Sequence, residues 1–316
     1  MLGYFLYRLG FSVLALLLIS VFLFALTAAV PESPARVVLG SEAPEAQIHQ
    51  FEHDHGLDRP LFIRYGEWLG DLVLHGSFGT SVVTGLRMNR QIVQTLPVTL
   101  ELVVLAFALA VVVSVALGTI SAIFEHGWID HFARIFAVVG VSVPGFWTAL
   151  VLILLLAVRF PIFPPGGVTP LSQGLGQHLL SLVLPAFCLA IFYTAVLSRM
   201  TRSSLVEVLD QDYIRTARAT GLPRSLILRY ALKNALVPVV TVASMSFGYM
   251  FGWALIIETV FNIAGMSSSL LNAIHQRDYA MVRAVVLVFT LIFLLANLAA
   301  DMINAWLNPR LRTVSP

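Results

Sequence analysis

The chain has 316 residues, of which 58% are hydrophobic and only 11% charged. Soluble globular proteins carry about 25% charged residues, so a soluble protein is excluded and a membrane protein expected. A formal net charge of +2 is too small to argue for nucleic acid, and the single cysteine, Cys188, excludes an internal disulfide and a cysteine-based metal centre.

Residues 9–30 form an apolar run long enough to cross a bilayer, for which about 20 residues suffice. Thr27, Ala28 and Ala29 are small enough to resemble a signal-peptide cleavage site. The run exceeds a typical signal-peptide core, however, and more spans follow, so it reads as an uncleaved first helix closing an N-terminal unit, 1–30. Residues 31–96 are the one large extramembrane segment, mixed in charge and containing Pro31, Pro34 and Pro44. Within it, 58–75 sets Leu61, Tyr65, Trp68, Leu69 and Leu72 at helical spacing. Tyr65 and Trp68 suit a headgroup boundary. A short amphipathic helix lying on the membrane is expected there. His49, His53 and His55 sit beside Glu52 and Asp54; their spacing fits no ligand motif, and a solvated polar loop is the expectation.

The remaining residues, 97–316, carry five further spans. The second, 97–124, has Glu101 in its first turn, as a cap or local partner, with pathway lining the alternative. A short polar loop, 125–134, follows. The third, 135–158, is interrupted at Pro144–Gly145. Proline kinks a spanning helix and frees a carbonyl; the break is either a packing bend or a pathway hinge, which makes Ser142 and Pro144 pathway candidates. After a Pro- and Gly-rich loop, 159–178, the fourth span, 179–197, is kinked at Pro185. A basic segment, 199–236, leads to the fifth, 237–257. Ser244, Gly248 and Gly252 fall four apart there, which allows close helix approach; a lining role for Thr241, Ser244 and Ser246 is the second reading. An outer loop, 258–283, opens on Glu258, a further pathway candidate. The sixth span, 284–306, carries Asn297, Asp301 and Asn304 as a polar stripe. Asn297 is a pathway candidate, whereas Asp301, near the inner end, suits a pair with a basic residue.

Orientation follows from arginine and lysine. With the N-terminus inside, the inner segments hold Arg8, Arg134, Arg199, Arg202, Arg215, Arg218, Arg224, Arg229, Lys233, Arg310 and Arg312, whereas the outer short loops hold only Arg159, Arg277 and Arg283. This positive-inside bias places both termini and 199–236 in the cytoplasm.

Residues 212–238, DYIRTARATGLPRSLILRYALKNALVP, read as ordered rather than loose. Asp212 can cap a helix. Ala217 and Ala219 favour a short helix with a shallow surface. Gly221 can take the left-handed conformation that ends it, and Pro223 suits the first turn of a new helix. Tyr213 and Leu222 serve as apolar anchors. The result is helix, bend, helix: a projection that fits a groove on another protein.

That stretch resembles the cytoplasmic coupling motif of ABC-importer permeases, in the form used by the dipeptide, oligopeptide and nickel permease family. The family reads approximately DYVRTARAKGL, then HALKNALIPV, ETVF, PGLG, NRDYP and NLLVDLLYALLDPR. Matching stretches here are 212–222, 230–239, 258–261, 264–266, 276–280 and 297–312, with 77–81, 96–102 and 142–147 in the first half. Nearly the whole chain is covered. The broad importer motif begins Glu-Ala-Ala four residues before its glycine; here Arg215, Thr216 and Ala217 precede Gly221, and Pro238 comes about one turn later. Both departures are the form of the peptide and nickel branch.

The resemblance implies an all-α integral membrane protein of six transmembrane helices, the B-type subunit of a peptide permease in the bacterial cytoplasmic (inner) membrane. It would form half of a translocation pathway in a heterodimer with a second homologous permease. Two ATPase subunits would dock inside and a solute-binding protein outside. ATP and Mg would be held by those ATPases, with no cofactor and no catalytic residue in this chain. Consistent with that, the single lysine, Lys233, is not in a GxxxxGK[ST] phosphate cradle. The coupling residues implied are Asp212, Tyr213, Arg215, Ala217, Arg218, Ala219, Gly221, Leu222 and Pro223.

An ion-coupled secondary transporter would need ionisable groups mid-span, but Glu101, Glu258 and Asp301 lie near span ends. An intramembrane enzyme is disfavoured: there is no HExxH, and 140–144 misses GxSxG. The expected solute is a di- or oligopeptide or similar compound, with nickel or a nickel chelate as the alternative. Every histidine falls in a loop or at a span edge, whereas a bare metal would want imidazole or thiolate along its path. The spans offer hydroxyls, amides, Met245 and Met250 instead, which suit a neutral hydrogen-bonding solute.

Overall fold

A computed structural model describes residues 2–30, 33–40 and 42–307. Pro31, Arg310 and Arg312, and the end of the 297–312 stretch, lie outside the described residues. Among those described there is no β-strand. The helices are α1 (Leu2–Ala28), α2 (Pro34–Leu39), α3 (Glu45–Asp54), α4 (Leu61–His75), α5 (Met88–Ile123), α6 (Trp128–Ser142), α7 (Gly145–Ile153), α8 (Leu175–Leu209), α9 (Asp212–Ala219), α10 (Arg224–Val260), α11 (Met266–His275) and α12 (Tyr279–Leu307). Five of these, α1, α5, α8, α10 and α12, are long and apolar enough to cross a membrane. A sixth crossing is reached if α6 and the stretch 145–159, bent by 100° against it, form one broken span. The break lies where expected. Val143 is extended at φ −83° and ψ 127°, the conformation favoured before proline, and Pro144 caps the next helix.

Several boundaries differ from the sequence reading. The helix carrying the second span starts at Met88, so Pro97 lies in its interior. Glu101 is therefore in about the fourth turn, not the first. Proline there costs one backbone hydrogen bond, and the helix continues through it. Residues 125–134 are not a loop, because α6 begins at Trp128. Glu258 does not open a loop either; it is fully buried within α10, and 258–283 contains α11. Pro185 and Pro238 lie inside α8 and α10 respectively.

The chain forms two compact units. One comprises 10–99 and 264–292. In it, Tyr65 and Trp68 of α4, expected at a headgroup boundary, pack on Phe24 of α1 with ring centres 5.4 and 5.9 Å away. The exposed apolar side chains of α4 are Leu61, Phe62, Ile63, Val73 and Leu74. The three imidazoles of 49–55 lie on or beside α3 and are engaged separately. His53 bonds Asp58 at 2.8 Å, which raises its pKa, and His55 bonds the Phe51 carbonyl at 2.9 Å. Met88, Ile92, Met266, Met281 and Val285 form this unit's buried cluster.

The other unit comprises 2–9, 100–263 and 293–307 of the described residues. Its helices meet at small residues. A Cβ on Gly118 of α5 would stand 2.6 Å from the Ser198 carbonyl of α8, and one on Gly248 of α10 would run into the Phe293 ring of α12. Gly248 thus belongs to a packing seam; Gly252 has open space beside it. The polar stripe of α12 is paired: Asn297 with Ser244 at 3.2 Å, Asn304 with Thr241 at 2.8 Å and Asp301 with Arg8 at 3.2 Å. Glu101 meets a distant partner, His178 of α8, whose Nε2 is 3.0 Å from the carboxylate.

Candidate coupling corner

The basic stretch folds into a corner between α8 and α10. Gln211 is extended and α9 begins at Asp212. Asp212 is therefore the first helical residue rather than the cap, and its side chain caps nothing. Its carboxylate still suits the positive end of the helix dipole. The contact with Arg215, at 3.4 Å and with both side chains largely exposed, is of a kind that contributes little.

The end of α9 is a Schellman closure. The Leu222 N–H donates to the Ala217 carbonyl at 3.2 Å and the Gly221 N–H to that of Arg218 at 3.1 Å. The closure requires the left-handed backbone that Gly221 adopts, at φ +79°. Nothing stands within 4 Å of where its Cβ would be, so conformation, not crowding within the chain, favours glycine there. Pro223 is the residue before α10, one position earlier than expected, and its carbonyl accepts from Leu226 and Ile227 at 3.0 and 3.1 Å.

One side chain seats the short helix. Ile214 is 1% exposed, packed with Leu205 of α8, Ile227, Ala231 and Ala235 of α10, and Ala122 of α5. The alanines leave the space that lets α9 approach. Tyr213 and Leu222, expected as anchors, are largely outside: they are 47% and 38% exposed, and the Tyr213 hydroxyl accepts from Asn234 at 2.9 Å. The basic side chains Arg215, Arg218, Arg224, Arg229 and Lys233 are all exposed. The corner is thus a positively charged surface, fixed from below and closed by a backbone turn.

Sequence reasoning missed Ile214 and also the clamp behind it. Asp130 of α6 is fully buried. It accepts from Arg202 of α8 through Nε and, at 2.9 Å, through Nη2, from Ser121 of α5 at 2.6 Å, and from the His126 N–H at 3.2 Å. Ser204 adds a tie from α8 to the Ala235 carbonyl of α10 at 2.9 Å.

The seven pathway candidates do not converge on one site. Ser142 and Pro144 are exposed at the α6–α7 break. Thr241, Ser244 and Asn297 are used in the contact of α10 with α12. Ser246 bonds the Val242 carbonyl and Glu258 is wholly enclosed.

Residues 114–313 match the family described as binding-protein-dependent transport system inner membrane component, and 1–103 match its N-terminal companion. A glutathione transport system permease protein of Pectobacterium atrosepticum is 37% identical over 99% of this chain and 99% of its own length. A "probable peptide ABC transporter permease protein" of Sinorhizobium fredii is 36% identical over 98% of this chain and 99% of its own length. An oligopeptide transport system permease protein of Bacillus subtilis is 34% identical, again over 98% and 99%.

Proposed function

Because this chain belongs to the family of binding-protein-dependent transport system inner membrane components, we propose that it is the permease of an ABC importer for short peptides or peptide-like compounds. The observation that carries the solute class is end-to-end similarity to proteins named for peptide, oligopeptide and glutathione transport. Nickel has no such support among them, and ion-coupled transport is not what the family describes. In cells carrying the whole operon, labelled di- to oligopeptides should accumulate, and deleting this gene should abolish uptake. Unchanged peptide uptake with loss of nickel uptake would reject the peptide assignment.

The chain would pair with a second, homologous permease and do no covalent chemistry. ATP and Mg would bind to two ATPase subunits seated on the cytoplasmic side, and a solute-binding protein would deliver from outside. The α9–Gly221 corner would enter a groove on an ATPase, with Asp212, Tyr213, Arg215, Arg218 and Leu222 as its contact face, Ala217 and Ala219 keeping the helix shallow, and Gly221 and Pro223 setting the bend. Closure of the ATPases on ATP would push that corner. Because Ile214 ties it to α5, α8 and α10, and the Asp130–Arg202 clamp joins α6 to α5 and α8, the push would move spans as rigid bodies between inward- and outward-open states.

Both termini are proposed to be cytoplasmic, on the arginine asymmetry. A cysteine at Gln47 should react with an impermeant reagent from outside, and cysteines at Ser225 or Ser315 should not. External labelling at Ser225 would reverse the orientation and remove the corner from the ATPase side.

A further inference from the structure

A cavity of about 650 Å³ lies within the unit formed by 10–99 and 264–292. Of the four arginines on its wall, Arg59 and Arg277 are exposed, and Arg64 of α4 and Arg283 of α12 are half-buried. Arg283 lies against aromatic faces, its central carbon 4.5 Å from the Phe24 ring centre and 4.9 Å from that of Trp68. One Nη reaches Thr27 at only 3.4 Å, and the buried Nε has no hydrogen-bond partner. Arg64 donates to the Leu57 carbonyl at 3.2 Å, and burial lowers its pKa. The two cations repel each other, while Asp278 attracts Arg283 and Asp58 attracts Arg64 without pairing with them. Among the described residues neither arginine forms an ion pair.

The acidic side chains on the same wall are engaged elsewhere. Glu52 takes the Ser33 hydroxyl, Asp54 the Gln50 amide and Asp278 the Ser81 hydroxyl, while Glu67 pairs with Arg59 and Asp71 lies 3.4 Å from His75. Half-buried cations that repel each other and have no carboxylate in direct contact are costly unless an anion joins them, and a planar carboxylate fits the guanidinium fork. The wall as a whole nevertheless carries both signs of charge, which suits a zwitterion better than a bare anion. We infer that this cavity holds a short peptide, its α-carboxylate between Arg64 and Arg283. The inference rests on the peptide reading above and adds to it a site at the ends of α1 and α12, where solute would pause before passing between the spans.

The test is equilibrium binding of radiolabelled Ala-Ala and of its C-terminal amide. It uses the complex of both permeases and both ATPases in phosphatidylcholine nanodiscs, without the solute-binding protein. The acid should bind saturably and the amide about tenfold more weakly, the order expected when a charge-assisted contact is lost. Arg283→Gln and Arg64→Gln should each weaken the acid by a similar factor and leave the amide unchanged. Equal binding of acid and amide overturns the inference, and that comparison needs no variant. It is also overturned if both variants hold Ala-Ala as the unsubstituted complex does, or if phosphatidylglycerol added to the discs displaces it from the arginines, which would make the cavity a lipid-phosphate site. Peptide uptake by the operon would persist in each of those cases, so failure here is separable from failure of the transport reading.

Discussion

Replacing Gly221 with tryptophan is expected to leave the chain assembled in the membrane and to abolish solute-stimulated ATP hydrolysis by the complex. Two effects combine. At φ +79° any L-residue pays about 1–2 kcal/mol for the left-handed backbone, which loosens the closure of α9. The corner itself stays seated, because Ile214 is untouched. The indole has no internal wall to strike, since the space beside Gly221 is open; its bulk goes to the outer face, where the ATPase would sit. Gly221→Asn should do much less, because asparagine tolerates the left-handed region. A tryptophan variant that assembles and hydrolyses ATP in response to solute as the unsubstituted complex does would place the coupling contact elsewhere.

Arg202→Ala should be among the most destabilising single changes in the chain. It strands the fully buried Asp130 carboxylate with only the Ser121 hydroxyl, the His126 N–H and the outer, half-exposed Arg134 at 3.4 Å. Breaking a buried pair from one side typically costs about 3–5 kcal/mol. Thermal denaturation of the detergent-solubilised chain should show a large loss, whereas Arg215→Ala, which removes the exposed contact to Asp212, should be nearly silent. Equal melting of Arg202→Ala and the unsubstituted chain would mean the clamp does not hold α5, α6 and α8 together.

What could be read from the sequence was whatever depended on neighbours in the chain. Gly221 follows a short alanine-containing helix and precedes Leu-Pro, and that local chemistry determines the turn. The break at Pro144 is equally local. Contacts across the chain were not legible. Asp130 and Arg202 are 72 residues apart, and Glu101 and His178 are 77 apart; each alone reads as a polar residue near a span end. Ile214 is the one large aliphatic side chain in the octet 212–219, and its role is visible only where α5, α8 and α10 meet. Pro97 misled because the same signal that precedes a helix at Pro223 also occurs inside one. The aromatic spacing of α4 was right, but its partner, Phe24, lies beyond two intervening helices.

The central claim is that the α9–Gly221 corner touches an ATPase. It is tested most directly by placing a photo-crosslinking amino acid at Arg218 and, as a control, at Gln47 in the assembled complex. Illumination should yield an adduct between this chain and an ATPase subunit from position 218 and none from position 47. No ATPase adduct from 218, or one from 47, would contradict the account.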